Sequence, residues 1–272
     1  MSNSIQPGAA ASSSVSARPR PSYPRSLAGK VALVVGGAGA IGAATSRMLV
    51  AAGATVVVTH LDTERDTDAA KALIAELGGD HAAYVANVVD TPSLIALRTR
   101  LQDRYGRLDI LVNAAGFTKP VLHADLDALT DELIDRMLQV NWRGQFAAIR
   151  TFAPMLKASG DGLVVSISSI AAFTGVGSSI AYCAAKAGID VMTKALARVL
   201  APEVRVLAVS PGVVDTEFVP GRGTDFNDRV SASTPLRRIG EAEDIAAAIT
   251  ACATMLGYST GHIVQVDGGR AL

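Results

Sequence analysis

The chain has 272 residues, enough to bury a substantial core as one large α/β domain or two small ones. Its 25 basic residues balance 25 acidic ones, which argues against nucleic-acid and membrane-surface partners, and no apolar run approaches the ~20 residues of a membrane span. Two cysteines, Cys183 and Cys252, make no disulfide framework and fit a reducing, cytoplasmic setting, while four scattered histidines (His60, His81, His123, His262) suggest no metal site.

Residues 1–25 are rich in Ser, Ala, Pro and Arg without an apolar h-region, so they read as a disordered tail rather than a secretory signal. The ordered domain is expected to span 26–272. Lys30 to Val35 predicts a short buried strand that runs into Gly36-Gly37-Ala38-Gly39-Ala40-Ile41-Gly42 and an alanine-rich helix ending near Ala52. Strand, glycine turn and helix in that order form the context a dinucleotide fingerprint requires. Glycines let the backbone approach a pyrophosphate, and a helix N-terminus offers free N–H groups and a positive dipole end.

Thr55–Thr59 is the second expected strand, followed by a helix capped by Asp62 or Thr63 and stopped at Gly78-Gly79. A third strand, Ala82–Ala86, precedes a helix opened by Asp90-Thr91-Pro92. The fourth, Leu108–Val112, runs into Asn113-Ala114-Ala115-Gly116. Thr130 starts a long helix with acids in its first turn, expected to continue through Asn141 to about Ala158. Strand Leu163–Ile167, a helix over Ile180–Leu200 and strand Val204–Val209 follow, the last ending at Pro211-Gly212. Residues 213–240 lack regular periods and read as a lid over a pocket. A helix near Ala242–Met255 and a strand His262–Val266 complete the chain. Seven strands alternating with helices imply a Rossmann-type α/β fold, a doubly wound and mostly parallel sheet in a single domain.

Within the helix from Ile180, Tyr182 and Lys186 stand four residues apart and leave one helical face. A phenol titrates near pH 10; an ammonium group close by favours the phenolate and brings it into range for proton transfer. Ser169, thirteen residues before Tyr182 at a strand end, can hydrogen-bond an oxygen whose bond order changes. Alone, such a tyrosine–lysine pair reads as an ordinary amphipathic spacing, so the remaining motifs decide.

Together the glycine turn, Asn113-Ala114-Ala115-Gly116, Asn141, Ser169, the Tyr182/Lys186 spacing, Pro211-Gly212 with Thr216, and Val266-Asp267-Gly268-Gly269 resemble the short-chain dehydrogenase/reductase family. The resemblance covers roughly residues 27–270 and includes Pro235 to Glu241 before the last helix. It implies hydride transfer between a nicotinamide and a secondary alcohol or ketone. Tyr182 would be the acid/base. Lys186 would lower its pKa and hold the nicotinamide ribose, Ser169 would orient the substrate oxygen, and Asn141 would hold a water in a proton relay. Gly36, Gly39, Ile41 and Gly42 would surround the pyrophosphate. Asn87, Val88, Asn113, Ala115 and Gly116 would lie along the adenosine side, and Pro211, Gly212, Val214 and Thr216 along the nicotinamide half. The family's middle turn glycine is Ala40 here, and the threonine before the turn is Val35. The aspartate that usually contacts the adenine amine is Asn87, and Leu207 replaces a common asparagine.

His60 and Asp62 follow the second strand, where the coenzyme's ribose is expected, and no arginine occupies the usual phosphate positions; Arg65 is the nearest. A carboxylate there repels a 2′-phosphate, so NAD is expected over NADP. Phe173, Phe218 and Phe226 suggest a partly apolar pocket. Two other functions compete: a 3-oxoacyl-thioester reductase acting on a carrier protein, for which Arg222, Arg229, Arg237 and Arg238 would form a basic rim, and a non-catalytic cofactor-binding scaffold. Helices from Thr130 and Ile180, apolar around most of their circumference, predict a homotetramer.

Overall fold

The computed structural model describes residues 22–221, 223 and 225–272. The expectations for residues 1–21 and for Arg222 lie outside the described residues. Within the expected tail, the Arg25 amide donates to the Thr254 carbonyl and the guanidinium pairs with Asp161, tying Arg25 to the body.

Seven parallel strands form one sheet among the described residues: β1 (Val31–Val35), β2 (Thr55–His60), β3 (Ala82–Val85), β4 (Ile110–Asn113), β5 (Gly162–Ile167), β6 (Val204–Pro211) and β7 (Ile263–Val266). Their order is β3-β2-β1-β4-β5-β6-β7. Helices α1 (Ala40–Ala51) and α2 (Glu64–Leu77) cover one face together with the last long helix, and α3 (Thr91–Tyr105) covers the other. Side chains alternate strictly between these faces. Val31, Leu33 and Val35 of β1 join Leu94 and Leu97 of α3, whereas Ala32 and Val34 join Leu49 of α1. Burial on both sides is why the strands read as unbroken apolar runs. The order of winding reverses between β1 and β4, with β2 and β3 added on one side of β1 and β4 to β7 on the other. The connections therefore diverge at the carboxyl ends of these two parallel strands and leave a crevice, the place where ligands bind in doubly wound sheets.

Three features differ from expectation. The helix from Thr130 is not uniform: α4 (Asp131–Leu138) passes through a π-helical turn (Gln139–Arg143) into α5 (Gly144–Ala158). Asn141 sits in that turn, and π turns concentrate at functional sites. Strand β6 runs on to Pro211, because Pro211 pairs with Val266 of β7. The segment 213–240 is not wholly irregular. After a short α6 (Ala171–Thr174) and the long α7 (Ile180–Leu200), it carries α8 (Phe226–Ser233) before α9 (Ala242–Thr254). Its neck is stitched by a parallel bridge between Val214 and Gly240, with the Asp215 amide donating to the Gly240 carbonyl.

Candidate active site

The glycine turn is a packing requirement before it is a binding site. Gly36 has φ +79°, and a Cβ there would stand 2.6 Å from the Ala115 amide of the loop after β4. A Cβ on Gly42 would meet the Gly36 carbonyl at 2.3 Å, so only glycine lets α1 start this close to β1. Gly39 is the N-cap of α1 and offers no side-chain cap, and Ala40, Ile41 and Gly42 open the helix along a cleft. Uncapped amides at a positive dipole end fit a pyrophosphate. Ala40 faces outward into the cleft, so the alanine in place of the family's glycine leaves the turn intact. The cleft holds about 1290 Å³, beyond the ~300–1,000 Å³ of a typical small-ligand pocket. That volume accommodates a dinucleotide together with a small substrate.

Helix α7 delivers the tyrosine and lysine. Ser179, fully buried, is its N-cap and accepts a hydrogen bond from the Tyr182 amide at 3.2 Å, which fixes Tyr182 in the first turn. One turn on, Lys186 is 2% exposed, and its Nζ lies 5.5 Å from the Tyr182 ring centroid while donating to the Ile167 carbonyl at 2.7 Å. Burial pushes the Lys186 ammonium down to about 7, opposed by the Asp190 carboxylate one further turn along. Asp190 is itself held: Ser168 Oγ donates to its Oδ1 at 2.5 Å, with the Lys186 carbonyl 3.4 Å from the same hydroxyl. Desolvation raises the Asp190 carboxyl, and the Ser168 hydrogen bond works the other way. Ser169 Oγ accepts from the Ala171 amide at 3.1 Å, which leaves its hydrogen to donate into the cleft.

Asn141 is buried and closely engaged. Its Oδ1 accepts from the Phe117 amide at 3.1 Å, and its Nδ2 donates to the Phe117 and Met137 carbonyls at 2.7 and 3.0 Å. Both side-chain hydrogens are spent on these two carbonyls. The side chain locks the loop after β4 to the π turn.

Gly36, Gly39, Ile41, Gly42, Ala115, Gly116, Ser169, Tyr182, Lys186, Pro211, Gly212, Val214 and Thr216 all line the one cleft. Besides Asn141, five other expected residues do not. His60 is buried, its Nδ1 2.9 Å from the Leu61 carbonyl, and Asp62 is exposed. Asn87 Oδ1 accepts from the Val89 amide, while Val88 packs against Gly144. Asn113 Nδ2 donates to Ser166 Oγ, tying β4 to β5. The lining at this end is Arg65 and Asp66 of α2, and Arg65 forms an ion pair with Glu217 from the loop after β6. Phe218 and Phe226 line the cleft and Phe173 does not; the Phe218 ring lies 6.2 Å from that of Tyr182. Asp190 and Ser168 escaped the sequence reading, although the four-residue step from Lys186 to Asp190 was a readable signal.

Comparison with known proteins places this geometry. Residues 36–271 match the family whose model is described as "Enoyl-(Acyl carrier protein) reductase". The chain is 33% identical to the 3-oxoacyl-[acyl-carrier-protein] reductase FabG of Thermotoga maritima, over 90% of its own length and 99% of that protein. It is 35% identical to the cis-4-hydroxycyclohexanecarboxylate dehydrogenase of Sinomonas cyclohexanicum, over 89% of the chain and 97% of that protein. A solved structure from Burkholderia xenovorans, titled as a short-chain dehydrogenase/reductase, superposes with a TM-score of 0.83 at 31% identity, covering 89% and 97% of the two chains.

Proposed function

The chain belongs to the short-chain dehydrogenase/reductase family, and from that premise we propose that it interconverts a small secondary alcohol and its ketone with Tyr182 as acid/base. One observation carries the reading: Tyr182, Ser169 and the buried Lys186 share a cleft with an uncapped glycine turn. A bound nicotinamide coenzyme supplies the hydride donor or acceptor. The rest is done by this chain. Tyr182 Oη moves a proton to or from the substrate oxygen, and Ser169 Oγ donates to that same oxygen and orients it. Lys186, its ammonium pushed down to about 7, places a titrating cation behind the phenol ring. Phe218 and the overhang 213–240 cover the reacting end and exclude water.

For the coenzyme we retain NAD over NADP. Arg65, the one cation among the described residues at the ribose end of the lining, pairs with Glu217, while Asp66 lines the cleft and Asp62 stands just outside it. A 2′-phosphate entering there meets net negative charge.

The carrier-protein reading has relatives in its favour, since FabG is named for that reaction. At the rim, two of the described arginines are paired, Arg229 with Asp225 and Arg238 with Asp244, while Arg237 is tied only to the Ala232 carbonyl, so the basic surface offered to an acidic protein is reduced rather than absent. A small free substrate is the better reading. The scaffold reading is set aside because Tyr182 and Ser169, both partly exposed, line one cleft with the buried Lys186.

Assembly follows from the exposed apolar face. Trp142 donates to the Gly188 carbonyl of α7 and stacks on Phe146, joining the helix from Thr130 to α7 in one surface with exposed Val191 and Val199. Pairing that surface with a second copy, and edge strand β7 with a third, gives the homotetramer. Light scattering tests it: a mass near 28.0 kDa refutes assembly, and twice that leaves the helix interface alone. No helix among the described residues is long and apolar enough to cross a membrane, and both cysteines are free thiols. The activity is tested by a carbonyl and alcohol panel read by nicotinamide absorbance with both coenzymes. Tyr182→Phe should lose about 10²–10⁴-fold in kcat while keeping the fold and coenzyme binding; undiminished turnover refutes the assignment.

A further inference from the structure

The cations lining the cleft divide into three situations. Arg65 is neutralised by Glu217 at the mouth. Lys186 is buried and committed to the Ile167 carbonyl. Arg270, just beyond β7, is half-buried and has no acidic partner within ion-pair distance among the described residues. Its Nη1 donates to Ser233 Oγ at 2.8 Å, with Thr234 Oγ1 at 3.4 Å and the Val230 carbonyl at 3.5 Å. These are neutral acceptors at the end of α8. They fix the guanidinium without neutralising it, and the dipole end of an eight-residue helix supplies only a fraction of a charge. The remaining lining at this end is largely apolar, including Phe226, Val219, Ala271 and Leu272. A held, uncompensated guanidinium in such surroundings is a recognition point for an anion, and its planar fork matches a carboxylate.

We propose that the substrate is a hydroxy acid or keto acid whose carboxylate is bound by Arg270 at the α8 end of the cleft while its carbonyl lies at Tyr182. This deepens the oxidoreductase reading and rests on it. A carboxylate suits the site better than a phosphate ester. One guanidinium balances a single negative charge, and a dianion would need a second cation that the described lining lacks at the α8 end.

The test compares a panel of cyclic and linear keto acids, headed by 4-oxocyclohexanecarboxylate, with the matching methyl esters, using both coenzymes. The wild-type enzyme is expected to prefer the acids. Arg270→Met should lower the acid-to-ester ratio of kcat/KM about 10–100-fold, chiefly through KM, and Arg270→Lys should restore part of it. Because Arg270 also holds α8, the ester supplies the control: a merely structural role lowers acid and ester together and leaves the ratio unchanged, which overturns the proposal. Equal use of acids and esters by the wild-type enzyme, or reduction of neutral ketones only, also overturns it while the oxidoreductase reading stands. Failure to turn over any carbonyl or alcohol with either coenzyme removes that reading, and this proposal with it.

Discussion

Replacing Lys186 by methionine should inactivate the enzyme and, below neutral pH, make it more stable. Lys186 is 2% exposed, and burial pushes its ammonium down to about 7 from an ordinary 10.5. The unfolded chain therefore binds the extra proton between those values, and the penalty on the folded state is full below pH 7 and gone above 10.5. At pH 6 the penalty is about 5 kcal/mol, and at pH 9 about 2 kcal/mol. Methionine also forfeits the hydrogen bond to the Ile167 carbonyl, which costs about 1–3 kcal/mol at either pH. The net expectation is a gain of about 2–4 kcal/mol at pH 6 that falls to near zero at pH 9. Denaturant unfolding of both proteins at equal concentration and at the two pH values measures it, because assembly makes stability concentration-dependent. A variant less stable than wild type at pH 6, or a difference that does not change with pH, refutes the reasoning.

Gly42→Ala should cost stability by about 1–3 kcal/mol and abolish coenzyme binding in a fluorescence titration, because its Cβ lands 2.3 Å from the Gly36 carbonyl. Asp66→Asn should narrow the preference for NAD over NADP more than Asp62→Asn does, read as the ratio of dissociation constants, since Asp66 lines the cleft and Asp62 does not. Ser168→Ala should push the Asp190 carboxyl further up by removing its hydrogen bond, so Lys186 loses its counter-charge at a higher pH. The acid limb of the pH–rate profile then moves to higher pH, and an unmoved limb would show that Asp190 has no influence at the site.

The sheet and the proton-transfer groups were legible because each is written locally. Strands buried on both faces are apolar runs whichever helix covers them, and Tyr182 and Lys186 share a helix turn whatever surrounds it. What depended on distant partners was not legible. The π turn at Gln139–Arg143 accompanies ties from Asn141 to Phe117, 24 residues away, so its sequence looks like continuous helix. The path of the chain after β2 decides that Arg65 and Asp66, rather than His60 and Asp62, reach the cleft. Nothing in residues 60–66 alone fixes that path. Phe173 and Phe218 are indistinguishable as loop aromatics, and only the fold back from β6 lays Phe218 against Tyr182. The contact of Arg270 with α8 spans some 40 positions of chain, which no local pattern announces.

Helix α7 explains why these groups can coexist. Ala181, Ala185, Ile189, Met192 and Ala197 bury one side of it, and small residues there let it lie close against the sheet and α4. Val191, Ala195 and Val199 line another side and are exposed, the side available to a second copy. Tyr182, Lys186 and Asp190 follow each other at single-turn steps between these two, and each is tied to the end of β5, to the residue after it or to the helix cap: Tyr182 through Ser179, Lys186 through Ile167, Asp190 through Ser168. A buried ammonium is tolerable only where such ties hold it and a carboxylate lies one turn away. The same ties fix the rotation of α7, so the face that carries the chemistry and the face offered for assembly are set by one packing arrangement. A change that rolled the helix to improve either would misplace the other.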